Sequence, residues 1–158
     1  MTRRRPLGMS LKVFRTFLPG VSAQMLWEFH SNVNALVLLT PPGAEVEVIG
    51  ETTDVFEGAL HKIRVKKFGS RLNWIARIHE VNEPKSFRDT AEKSPFKTWT
   101  HEHKFEEENG GCWLIDTVEY SLPFGILGWI AGALLVNRDI DNMFAHRHKV
   151  TRKHFGLE

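Results

Sequence analysis

From Glu45 onward the sequence alternates apolar and polar residues in successive short runs, and it closes on about thirty residues without a proline. That order leaves few folds open. Period-two segments in series, each half apolar, make a meander of antiparallel strands with one buried face. A single long amphipathic helix is then the one remaining element able to cover that face. AEVEVIGE sets Val46 and Val48 between acids, and GALHKIRVKKFG sets His61, Ile63 and Val65 against Lys62, Arg64 and Lys66. RLNWIARIHEV and KSFRDTAE continue the alternation, with turns marked by Gly50, Gly58, Gly69-Ser70 and Glu83-Pro84. After Pro95 come KTWTHEHKF and CWLIDTVEYSL, separated by Asn109-Gly110-Gly111, a strong hairpin signal.

Upstream, Ser10 to Leu18 alternates as a strand and stops at Pro19-Gly20. Ser22 is placed to cap a helix over AQMLWEFHS, and a second short helix, NVNALVLL, ends at Thr40-Pro41-Pro42-Gly43. In the closing segment Ile126, Ile130, Ala133, Ile140 and Phe144 fall on one helical stripe, widened by Leu127, Leu134 and Met143. Gly125, Gly128 and Gly132 let the helix backbone approach the sheet. The fold class is therefore α+β: a curved antiparallel sheet of about six or seven strands around a long C-terminal helix, with two short helices after the first strand. One domain is expected over 9–155, with a basic tail over 1–8. A second tail at 156–158 reads as a cloning remnant. One helix cannot fill the concavity of such a sheet, so a ligand cavity between the two is expected.

Composition excludes several classes. With 158 residues and 42% hydrophobic and 25% charged residues, the chain can build one core, and no apolar run of eighteen residues crosses a bilayer. The single Cys112 makes no internal disulfide. Residues 1–15 carry five basic groups and no acid, within a net charge of +2. That tail lacks interleaved aromatics, so it reads as solvated; no nucleic acid partner is expected, and membrane-surface contact is at most weak. No signal-peptide core follows it, which points to the cytoplasm. There is no GxGxxG, P-loop or GxSxG, and no cofactor is expected.

The hairpin carries the chemistry. A turn at Asn109-Gly110 pairs residues whose numbers sum to 219, placing His103 opposite Asp116, His101 opposite Val118 and Trp99 opposite Tyr120. Thr98, Thr100, Glu102, Lys104 and Glu106 form a polar outer side. Trp99, His101, His103, Phe105, Leu114, Asp116, Val118 and Tyr120 then face the helix. Two imidazoles, a carboxylate and a phenol in an apolar wall need hydrogen-bond partners, and His103 with Asp116 is the first pair to expect.

Three functions fit this wall. In the simplest, the polar groups satisfy one another and orient a bound apolar ligand. In a second, His103 and Asp116 form an acid/base pair with Tyr120 as a further donor. In a third, the His-x-His run binds metal with Asp116 or Asp89 as third ligand; no further histidine or cysteine sits at recognisable spacing, so no metal is expected. His30, His61 and His79 read as surface or satisfied core positions. His146, His148 and His154, among Arg147, Lys149, Arg152 and Lys153, read as a solvated helix end. A separate class, an adaptor docking through Trp129, the glycine-rich helix start and the basic ends, is the remaining alternative.

Four stretches, WEFHSNVNALVLLTPP (27–42), FRDTAEKSPFKTWTHEHKF (87–105), DTVEYSLPFGILG (116–128) and MFAHR (143–147), resemble the START-like helix-grip superfamily. This SRPBCC group includes polyketide cyclase/dehydrase-like proteins and the birch-pollen allergen fold, and the resemblance covers about residues 8–155. It implies a deep hydrophobic cavity for a lipid, polyketide, quinone or similar aromatic. Phe87, Asp89, Trp99, His101, His103, Asp116 and Tyr120 occupy motif positions, while Ser94 stands where a glycine commonly precedes the proline. Aromatase/cyclase relatives polarise a positioned substrate, which lends the acid/base alternative some support and no diagnostic residue. The expected lining is Trp74, Phe87, Trp99, His101, His103, Phe105, Asp116, Tyr120, Ile126, Ile130 and Phe144. The expected function is binding of a small hydrophobic molecule, with a cyclase/dehydratase activity through His103 and Asp116 as the alternative.

Overall fold

The computed structural model describes residues 6–67 and 69–158, the side chains of 125–132 excepted. Strand β1 (Met9–Pro19) leads through helices α1 (Ala23–His30) and α2 (Ala35–Leu39) into the meander. The meander consists of β2 (Ala44–Ile49), β3 (Leu60–Lys67), β4 (Ser70–Asn82), β5 (Ser86–Lys93), β6 (Thr98–Glu108) and β7 (Gly111–Ser121). Helix α3 (Gly125–His154) closes the chain. All seven strands form one antiparallel sheet in the order β1-β7-β6-β5-β4-β3-β2.

Local chemistry explains the boundaries. Ser22 has extended backbone and accepts the Met25 N–H at 3.1 Å, capping α1. Asn109 and Gly110 take positive φ of 28° and 81°, the pattern of a two-residue hairpin turn, and set the β6–β7 register. That register runs from Glu108↔Gly111 to Thr98↔Ser121 and places His103 opposite Asp116, as the sum rule predicts.

The concave face of the sheet is covered from two sides. Leu26 and Trp27 of α1 pack with Leu18, Ile78, Phe87, Phe105 and Leu114 in one apolar cluster, onto whose edge Leu157 also packs. Ile140 and Phe144 of α3 pack with Trp99, Val118 and Tyr120 in a second, joined by Phe14, Trp74 and Phe96. Phe144 stacks on Phe14 with ring centroids 4.6 Å apart. The expected stripe of α3 needs one correction: Leu134 is 82% exposed, because the helix turns that residue away from the sheet. No helix among the described residues is long and apolar enough to cross a membrane.

Candidate functional site

Between the two apolar clusters runs a belt of polar side chains. Alternation along β5, β6 and β7 turns Phe87 and Asp89, then His101 and His103, then Asp116 toward the covered face. Asp89 lies opposite His101 and Phe87 opposite His103. Right-handed twist lets each ring reach carboxylates on both neighbouring strands.

His101 Nε2 is 2.6 Å from Asp116 Oδ1, and its Nδ1 is 3.4 Å from Asp89 Oδ2. His103 Nε2 is 3.1 Å from the same Asp89 oxygen, and its Nδ1 is 3.6 Å from Asp116 Oδ1. The two rings lie with centroids 3.8 Å apart. Asp116 Oδ2 accepts from His148 Nε2 at 2.7 Å, and Thr16 Oγ1 is 2.7 Å from His148 Nδ1. Phe87 stacks on His103 at 4.2 Å, and Phe144 meets His101 edge-on at 5.0 Å.

The expected pairing of His103 with Asp116 is thus corrected. The two are opposite in register but only approach to 3.6 Å; Asp89 takes the His103 hydrogen bond, and Asp116 is bonded by His101 and His148. His148 is a second correction. It is buried at 6% exposure, because it lies one turn after Phe144 on the stripe that faces the sheet. That i, i+4 relation was the signal for it in the sequence, masked by the basic residues around it. Thr16 and Asn137 also escaped sequence reasoning. Tyr120 spends its hydroxyl on Asn137 Oδ1.

Electrostatics follow from this geometry. Burial alone would lower the His101 pKa, but Asp116, and then Asp89, raise it to about 9. His103 is lowered, by burial first and by the adjacent His101 charge second. Burial works to raise both carboxyls, yet Asp89 is held low by hydrogen bonds from His101 and His103, and Asp116 well below its ordinary range by His101 and His148. His30, with its ring between Phe29 and Phe105, is lowered to about 4, chiefly by burial. Arg147 is lowered by burial against the pull of both carboxylates; its Cζ lies 5.2 Å from the Phe144 ring centroid.

The other expected histidines are satisfied locally. His61 is buried with Nε2 2.8 Å from the Asp54 carbonyl, and His79 Nε2 is 2.7 Å from Thr90 Oγ1. Of the expected lining residues, Phe87 and Phe105 belong to the α1 cluster, and Trp74, Trp99, Tyr120 and Phe144 to the α3 cluster. His101, His103 and Asp116 stand between. Ile126 and Ile130, with Trp129, lie outside the described residues. Beside the middle of α3, where Val136, Ile140 and Phe144 join the same cluster, an aromatic wall is built from Trp74, Phe96, Trp99 and Tyr120, with Trp74 edge-on to Trp99 at 5.3 Å and Phe96 4.8 Å from Trp99. Two grooves open at the other end of the domain. One of about 840 Å³ lies between β1 and the last turns of α3, and one of about 530 Å³ lies between α1, α2 and His154-Phe155.

The sequence of polyketide cyclase/dehydrase and lipid transport proteins matches residues 19–149 of the chain. Among curated proteins none matches. Solved structures share the fold at low identity. Protein Ms6760 from Mycobacterium smegmatis is 15% identical with a TM-score of 0.65, over 92% of this chain and 90% of its own. A protein from Rhodobacter sphaeroides reaches a TM-score of 0.69 at 13% identity, over 94% of this chain and 98% of its own. Ara h 8.0201 is similar over 91% of this chain and 99% of its own, at 15% identity and a TM-score of 0.61.

Proposed function

The chain belongs to the polyketide cyclase/dehydrase and lipid transport family, and on that footing we propose that it binds a small hydrophobic molecule between the sheet and α3. A lipid, polyketide, quinone or aromatic of similar size fits this reading. The observation that carries it is the aromatic wall between the sheet and α3. Trp74, Phe96, Trp99 and Tyr120 bring ring faces and edges together, and Val136, Ile140 and Phe144 of the helix join the same cluster. Phe144 and the polar belt close the floor, so a ligand there would meet apolar rings along its body.

Native mass spectrometry of protein purified without detergent tests this. A retained apolar adduct is expected, displaced when Trp99→Ala opens the wall. Protein that consistently carries no adduct, and that takes up no lipid or aromatic probe, overturns the reading.

The buried carboxylates and imidazoles also favour a second reading, acid/base chemistry of the cyclase or dehydratase kind. His103 is the ring held neutral, so it is the base to expect, and Asp89 rather than Asp116 orients it through the 3.1 Å hydrogen bond. Turnover of a polyketide surrogate that survives both His103→Ala and Asp89→Asn removes this reading and leaves ligand binding intact.

A further inference from the structure

We propose that Asp89, His101 and His103 form a binding site for one divalent transition-metal ion of the zinc type, with Asp116 as the carboxylate that orients both imidazoles.

The first argument is distance. A tetrahedral ion bound at about 2.0–2.1 Å keeps its ligand atoms about 3.4 Å apart. Asp89 Oδ2 lies 3.4 Å from His101 Nδ1 and 3.1 Å from His103 Nε2, and one ligand atom from each of the three residues lies within 4.8 Å of the others. The two edges to Asp89 match that spacing to within a few tenths of an ångström, and closing the remaining His101–His103 edge makes the three atoms one face of a tetrahedron. Two imidazoles and one carboxylate are the donor set that suits zinc and its first-row neighbours, with one position left over.

The second argument is what lies behind the ligands. A metal-bound imidazole almost always gives its other N–H to a carboxylate. His101 does so through Nε2 to Asp116 Oδ1 at 2.6 Å, which leaves Nδ1, on the Asp89 side, as the nitrogen that gives up its proton to the ion. His103 Nδ1 is buried without a hydrogen bond among the described residues, and its nearest carboxylate oxygen is Asp116 Oδ1 at 3.6 Å. With metal on Nε2, Nδ1 carries the proton and a small ring rotation completes its bond to Asp116. Asp116 is itself anchored by His148, whose other ring nitrogen is held by Thr16.

The third argument is charge. Each ring faces carboxylates with both nitrogens, so the box of two carboxylates calls for two positive charges. Two imidazolium rings 3.8 Å apart repel each other, and Arg147 hydrogen-bonds to neither carboxylate among the described residues. One divalent ion next to Asp89 supplies both charges at once. Access is from that side: the side chains of Asp89 and His103 are 16% and 14% exposed against 4% for His101.

The test strips purified protein with EDTA, refills it with Zn²⁺ or Co²⁺, desalts it and measures metal by elemental analysis and cobalt by visible absorption. One equivalent per chain is expected, with a four- or five-coordinate cobalt spectrum. His101→Ala and His103→Ala should each weaken binding at least tenfold, and Asp116→Asn, which leaves the three ligands in place, about 10- to 100-fold. Asp89→Asn is the alternative should a histidine variant lose its native circular dichroism. Wild-type protein that retains no metal, or binding that persists in folded His101→Ala/His103→Ala protein, overturns the proposal.

Discussion

Thr16 Oγ1 and His148 Nδ1 lie 2.7 Å apart, joining the first strand to the last helix across 132 residues of chain. The same histidine bonds Asp116 through its other nitrogen, so one imidazole ties β1, β7 and α3 together. Removing it strands a buried carboxylate oxygen. His148→Ala is expected to cost about 1.5–3 kcal/mol, the range for hydrogen bonds to charged groups, and Thr16→Val about 1 kcal/mol. Urea unfolding checks both, and equal losses for the two variants would contradict the ranking.

Phe144 is fully buried, stacks on Phe14 and meets His101 edge-on. Truncation leaves a cavity where α3 grips the sheet, so Phe144→Ala should lose about 3–5 kcal/mol. Phe144→Leu, which keeps most of the volume, should lose much less; thermal unfolding of the pair gives the comparison.

Gly111 opposes Pro19 where β7 begins. A Cβ there would lie 2.5 Å from the Leu18 carbonyl oxygen and 2.6 Å from Phe17 Cζ. The carbonyl belongs to the backbone and yields only if β1 moves. Gly111→Ala is expected to destabilise by about 1–3 kcal/mol despite adding a single methyl group.

His30 bears on pH dependence. Burial, with the charges of His103 and His148, lowers its pKa to about 4, against the opposing pull of Asp116 and the Leu26 carbonyl. The unfolded chain, with an ordinary histidine near 6.5, therefore binds more protons than the folded one between pH 6.5 and 4. Stability should fall as the pH drops through that window and the contribution should level off below about 4. In EDTA-treated protein, His30→Gln should flatten the slope of unfolding free energy between pH 6.5 and 4.5; an unchanged slope would assign it to other groups.

The sheet and the face of each strand were legible because period-two alternation and the Asn109-Gly110 turn are local signals. The register summing to 219 follows from the turn alone, and the structure has it from end to end of the hairpin. The hydrogen-bond partners within the face were not legible. Register makes His103 and Asp116 opposite neighbours, but which nitrogen meets which oxygen depends on strand twist and ring rotamers, and these favour the diagonal His101–Asp116 contact. His148 was obscured for another reason. Its neighbours Arg147, Lys149, Arg152 and Lys153 advertise a solvated helix end, whereas burial is decided by helical phase relative to Phe144.

The placement of β1 beside β7 has a consequence for how the molecule is made. Every other strand finds its partner one hairpin away, but Pro19 pairs with Gly111 and Met9 with Ser121. During synthesis, a nascent β1 has no edge to join until nearly the whole meander has left the ribosome. Assembly should therefore begin in the middle of the chain and finish by recruiting its beginning, with α3 docking last over a polar belt that has only then acquired Thr16.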